Sequence, residues 1–150
     1  MILETRHVGI NVANMDESVH FWRDVMGLQV VVDMWEEGDY IDTLQNLPDV
    51  RVHIIKLRAP DGSVIELLED VAHPTPPPDP QHNRLCDRGI RHIAFTVADV
   101  EESYQILRRH GCEVLSKPIT SPDGYAKLFF ARDPEGNLVE IVEVLRKKRG

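Results

Sequence analysis

The chain has 150 residues, 42% of them hydrophobic and 28% charged, which suits a packed core and excludes a disordered or fibrous polypeptide. Seventeen Lys and Arg against 25 Asp and Glu give a formal net charge of −8, which disfavours nucleic-acid backbones and anionic membranes as partners. No apolar run approaches the roughly 20 residues of a spanning helix, and MILETRHVGI has neither a basic n-region nor an apolar h-region, so a cytoplasmic location is expected.

RHVGINV alternates and reads as a first strand. Asn14 then stands at an N-cap with Glu17 three residues on, predicting a helix of about ten residues that places Val19, Trp22, Val25 and Met26 on one face and ends at Gly27. Strands are predicted at about 28–35, 50–59 and 63–70, the last two joined by an Asp61-Gly62 turn. Residues 33–50 form a long connection that suits a substrate lid or a dimer contact. Five prolines in residues 74–80 mark an extended linker over 71–87. RHIAFTV begins a second series: an N-cap at Asp99 with Glu102, a helix carrying Tyr104 and Leu107, Gly111 at its C-cap, and strands at about 112–119, 124–132 and 137–144. The basic run Arg146–Arg149 reads as a solvated tail, and Cys86 and Cys112, without CxxC spacing, as reduced thiols. No glycine-rich phosphate loop, GxSxG elbow or HExxH helix occurs.

The second series repeats the first. Arg6–Ser18 matches Arg91–Ser103 at a shift of 85 with six of 13 positions identical, and Pro60–Glu69 matches Pro134–Glu143 at a shift of 74 with four identities. The expected class is therefore α+β, two tandem βαβββ modules over about 3–70 and 88–145.

Alternation selects the candidate site. Val8, Ile10 and Val12 form one apolar set in the first strand, leaving His7, Gly9 and Asn11 on the other face; Ile93, Phe95 and Val97 likewise leave His92, Ala94 and Thr96. Glu66 and Glu140 oppose the apolar sides of VIELL and LVEIV. One strand histidine is an ordinary residue, but a His and a Glu repeated at equivalent positions of two halves point to two imidazoles and two carboxylates. Such a set suits Zn, Ni, Co, Mn or Fe(II) with coordination positions left open.

RHVGINV, APDGSVIELLE, RHIAFTV and FFARDPEGNLVEIVE together resemble the vicinal oxygen chelate superfamily, which includes glyoxalase I, methylmalonyl-CoA epimerase, extradiol dioxygenases and the fosfomycin and bleomycin resistance proteins. The resemblance spans nearly the whole chain as one domain, 1–150. It implies a cup-shaped mixed β-sheet with helices outside, one divalent metal per site, often a homodimer, and metal ligands at His7, Glu66, His92 and Glu140. Four filled positions resemble the lyase and isomerase branch, and glutamate at Glu66, where methylmalonyl-CoA epimerases commonly carry glutamine, is closer to glyoxalase I. The expected activity is proton transfer next to a carbonyl through a metal-stabilised enediolate, with Glu140 as base and Glu66 as its symmetric partner. The expected substrate is a small molecule with vicinal oxygens or an acidic C–H beside a carbonyl, contacted by Asn11 and Thr96 and by Trp35 and Tyr40 of the long connection. Arg51, His53 and Lys127 are weaker candidates. The alternatives are an Fe(II) or Mn(II) extradiol-type dioxygenase or thiol transferase, and a non-catalytic small-molecule binding protein.

Overall fold

A computed structural model describes residues 1–145; the basic run Arg146–Arg149 lies outside the described residues. The elements are β1 (Val8–Asn11), α1 (Met15–Val19) continuing as a π-helical segment (His20–Val25), β2 (Gln29–Glu37), α2 (Asp39–Gln45), β3 (Arg51–Arg58), β4 (Val64–Asp70), β5 (His92–Thr96), α3 (Val100–Arg109), β6 (Ile119–Thr120), β7 (Ala126–Arg132) and β8 (Leu138–Val144). They form two compact units that divide between Pro77 and Pro78, inside the expected linker. Each holds an open four-stranded mixed sheet, ordered β1-β4-β3-β2 in the first and β5-β8-β7-β6 in the second. In each sheet three strands run as an antiparallel meander, and the unit's first strand pairs parallel with its last.

The local signals act as the residues dictate. Asn14 Oδ1 accepts the Glu17 N–H at 3.1 Å and Asp99 Oδ1 accepts the Glu102 N–H at 2.9 Å, so both helices start on a capped turn. Gly27 and Gly111 close them at φ of 79° and 75°, a conformation that costs other residues a Cβ clash. Between cap and glycine the first helix holds one residue more than the second. That residue is absorbed by the π-helical segment, where the Met26 N–H reaches back five residues to Phe21 O at 2.9 Å. Phe21 turns inward with Trp22 in consequence, and the two rings meet edge to face at 5.0 Å.

One face of each sheet is apolar. Leu57, Ile65 and Leu67 in the first unit and Phe129, Ala131, Val139 and Ile141 in the second are nearly or fully buried, and α3 covers the second set, with Tyr104 edge-on to Phe129 at 5.4 Å. Each of the larger side chains among them contributes on the order of 1.5–3 kcal/mol by leaving water.

Two expectations need correction. The connection over 33–50 is not a plain loop: β2 runs on to Glu37, and α2 follows before Asn46 ends it in the left-handed region. A seven-residue helix with few apolar positions is too short to declare a period. The strand expected at 112–119 is also broken. Val114 bridges Ala131, but regular pairing resumes only at Ile119–Thr120, because Pro118 has no N–H to offer a ladder. The linker is partly ordered by Asn83, whose Nδ2 donates to Gly136 O at 2.9 Å while its carbonyl accepts from Arg132. Among the described residues no helix is long and apolar enough to cross a membrane.

Candidate functional site

Parallel pairing places the histidines and glutamates together. Gly9 lies opposite Glu66 in the β1–β4 register, and Ala94 lies opposite Glu140 in the β5–β8 register. In both units the histidine sits two residues upstream of that small partner, on the same face. His7 Nε2 is 3.0 Å from Glu66 Oε2, and His92 Nε2 is 3.2 Å from Glu140 Oε2. The carboxylates are mostly covered, at 13% and 19% side-chain exposure. Each ring therefore aims one nitrogen at one oxygen of a half-buried acid.

The small residues between them were not singled out by sequence reasoning. A Cβ at Gly9 would stand 4.0 Å from Glu66 Oε2, so a larger side chain there would cover the carboxylate. Ala94 occupies the same place in the second unit.

These distances fit a metal. With bonds near 2.1 Å, two donors in neighbouring positions of an octahedral ion stand about 3.0 Å apart. A shared proton gives the same separation, so each pair can hold either a proton or one edge of a coordination sphere. Two imidazoles and two carboxylates are donors that Zn, Ni, Co, Mn and Fe(II) accept. Among the described residues no group of three or more His, Cys, Asp or Glu side chains stands together as a metal cluster, so each unit by itself offers a pair.

The surroundings of the two pairs differ. Lys56 lies across the β3–β4 ladder from Glu66 and its Nζ is 3.1 Å from Oε1. In the second unit Phe130 lies across from Glu140, and its ring meets His92 edge-on at 5.3 Å. Beyond Glu66 on the same face, Ile54 and Leu68 pack with Val50, Val52 and Ile41 of α2, so the added helix walls one side of the first pair.

Asn11 and Thr96 are exposed on the faces of Glu66 and Glu140, where alternation puts them. Tyr40 lies in the first turn of α2, 69% exposed. Trp35 is placed elsewhere: it pairs with His53, whose face of the sheet is opposite that of Lys56 and Glu66. There it stacks on His53 at 4.5 Å with Arg51 over its ring, and His53 is tied to Asp33 at 2.7 Å. Trp35, Arg51 and His53 therefore form their own cluster, away from Glu66. Lys127 likewise faces α3 and pairs with Glu101. Cys86 and Cys112 are free thiols.

The chain matches the family described as the Glyoxalase/Bleomycin resistance protein/Dioxygenase superfamily over residues 5–141. It is 25% identical to a probable lactoylglutathione lyase of Synechocystis over 147 residues, covering 95% of this chain and 96% of that one. It is 30% identical to a 2-epi-5-epi-valiolone epimerase of Actinomyces over 122 residues, 79% of this chain and 65% of that one. Among solved structures, a glyoxalase family protein from Bacillus cereus superposes with a TM-score of 0.87 at 27% identity, covering 97% of each chain.

Proposed function

The chain belongs to the glyoxalase/bleomycin resistance protein/dioxygenase superfamily, and on that premise we propose that it is a divalent-metal-dependent isomerase, epimerase or lyase that moves a proton at a carbon next to a carbonyl. The observation that carries this reading is the recurrence of one His–Glu pair, in one register, in both units. His7 with Glu66, and His92 with Glu140, would be the ligands offered to a Zn, Ni, Co, Mn or Fe ion. Bound there, the ion would supply a Lewis-acid charge to the substrate's oxygens.

The remaining chemistry falls to the chain's own side chains. Glu140 takes the proton from the carbon beside the carbonyl and returns it to the same or the neighbouring carbon. Phe130 beside it keeps that carboxylate from a charged lateral neighbour. Asn11 and Thr96, each exposed on the face of its own unit's glutamate, would offer hydrogen bonds to a polar substrate. A small molecule with vicinal oxygens or an acidic C–H is the substrate class, in keeping with the lyase and epimerase names of the relatives.

Metal content tests the reading, measured by mass spectrometry on untagged wild type and on His92→Ala. About one Zn, Ni, Co or Mn per chain, lost in the variant, is the expected result. Stoichiometric iron would redirect the reading to oxygen-dependent ring cleavage. No metal after reconstitution would overturn the enzyme assignment.

A further inference from the structure

The two oxygens of Glu66 have different partners: Oε2 faces His7 Nε2 at 3.0 Å, and Oε1 is held by the Lys56 ammonium at 3.1 Å. The same shift of 74 that carries Glu66 onto Glu140 carries Lys56 onto Phe130, and the registers agree, since Lys56 pairs with Glu66 and Phe130 with Glu140. One carboxylate thus has an ammonium beside it where its repeat has a benzene ring. We propose that Lys56 divides the labour between the two carboxylates: it ties Oε1 of Glu66 and leaves that residue only Oε2, beside His7, to offer a metal, while Glu140, with Oε2 beside His92 and no ammonium at Oε1, can use its second oxygen to take a proton.

The inference rests on the metal reading above and extends it to a positioning residue outside the four ligands. For Glu66 to chelate through both oxygens, Oε1 would have to leave the ammonium and turn toward the ion, exchanging a charge-assisted contact for an unpaired lysine beside a divalent cation. The carboxylate is too enclosed for water to replace that contact freely, at 13% side-chain exposure, and Lys56 itself is only 26% exposed. Glu140 meets no such restraint. Its lateral neighbour is apolar, and His92 is the one ion-pair partner it has among the described residues. The ammonium also offsets the negative charge of Glu66, so it makes the His7–Glu66 pair attract a cation less than an unopposed carboxylate would.

Cobalt(II) alone is a suitable probe, because its visible absorption reports coordination number without any substrate. Apo protein is titrated with Co2+, and affinity and absorption per ion are compared in wild type, Lys56→Met, Lys56→Arg and Phe130→Lys. Lys56→Met is expected to bind Co2+ about tenfold more tightly and to absorb more weakly per ion, as Glu66 gains a second bond. Lys56→Arg keeps the wild-type affinity and spectrum. Phe130→Lys, which recreates the ammonium beside Glu140, binds about tenfold more weakly. Unchanged or weaker binding in Lys56→Met, with wild type binding normally, overturns the role of Lys56 and leaves the metal reading standing. Should Lys56→Met fail to fold, an unchanged affinity in Phe130→Lys overturns it equally. Wild type that binds no Co2+ overturns both readings together.

Discussion

The hairpin at Ala59–Ser63 and its repeat at Asp133–Asn137 have one backbone and two locks. Both close with the same pair of main-chain bonds, Ala59 N–H to Ser63 O and Gly62 N–H to Ala59 O in the first, Asp133 N–H to Asn137 O and Gly136 N–H to Asp133 O in the second. In the first, Asp61 accepts from Ser63 within the exposed turn. In the second, Asp133 sits buried at the start of the turn and accepts from Glu135 N, Asn137 N and Asn137 Nδ2. Burial pushes the Asp133 carboxyl above its ordinary range, partly countered by those donors. The units as wholes show the same division. Main-chain register and the His–Glu pair are common to both, whereas α2, Lys56, Phe130 and the length of the edge strand belong to one unit each. Duplication preserved what sets two donors 3 Å apart and released what stands around them.

The sharpest test of that division is functional. Glu140→Gln should slow proton exchange at the substrate carbon by about 10²–10⁴-fold, while Glu66→Gln slows it less and weakens metal retention more. Deuterium uptake from D2O at the substrate's C–H, followed by NMR, and retained metal read both; equal losses would erase the distinction between the two acids. His7→Ala and His92→Ala test what the units share. Each should lower Co2+ affinity by at least about 100-fold, with similar losses at the two sites. A large loss at one histidine only would break the equivalence of the pairs.

Stability gives the smaller effects. Trp22 and Leu107 occupy equivalent helix positions at the shift of 85, and both are buried. Trp22→Ala should cost about 3–5 kcal/mol and Leu107→Ala about 2–5 kcal/mol in chemical denaturation. Separate unfolding transitions for the two variants would show that the units melt apart. Asp133→Ala should cost about 1–3 kcal/mol, because three N–H donors lose their acceptor, and Asp61→Ala in the exposed turn should cost less. Asn14→Ala and Asp99→Ala should each cost about 1 kcal/mol, and near-equal values would confirm that the caps remain interchangeable.

Much of this was legible in the sequence because it depends on short-range rules. The caps at Asn14 and Asp99 and the glycines at 27 and 111 declare themselves through chemistry that few residues can supply. The faces of His7 and Glu66 followed from period-two alternation, which a strand cannot evade. What escaped reading depends on partners distant in the chain. Lys56 has no pattern around it in the sequence that marks it out; only the β3–β4 register places it opposite Glu66. Trp35 was expected beside the substrate, but the irregularity in β2 between Val30 and Val32 and the pairing beyond it put it opposite His53. Gly9 and Ala94 acquire meaning only once a carboxylate lies across the ladder from each.

The parallel pairing of each unit's first strand with its last also orders events in time. His7 and Glu66 are 59 residues apart in the chain, and His92 and Glu140 are 48 apart. Neither histidine can meet its glutamate until the intervening helix and meander have shortened the path, so the donor pair is a late contact of high contact order. The closure entropies of the two loops differ by only about 0.2 kcal/mol, which gives neither unit a topological head start. A nascent or partly unfolded chain therefore carries its imidazoles and carboxylates apart, and brings each histidine to its glutamate only as each sheet closes on its final strand.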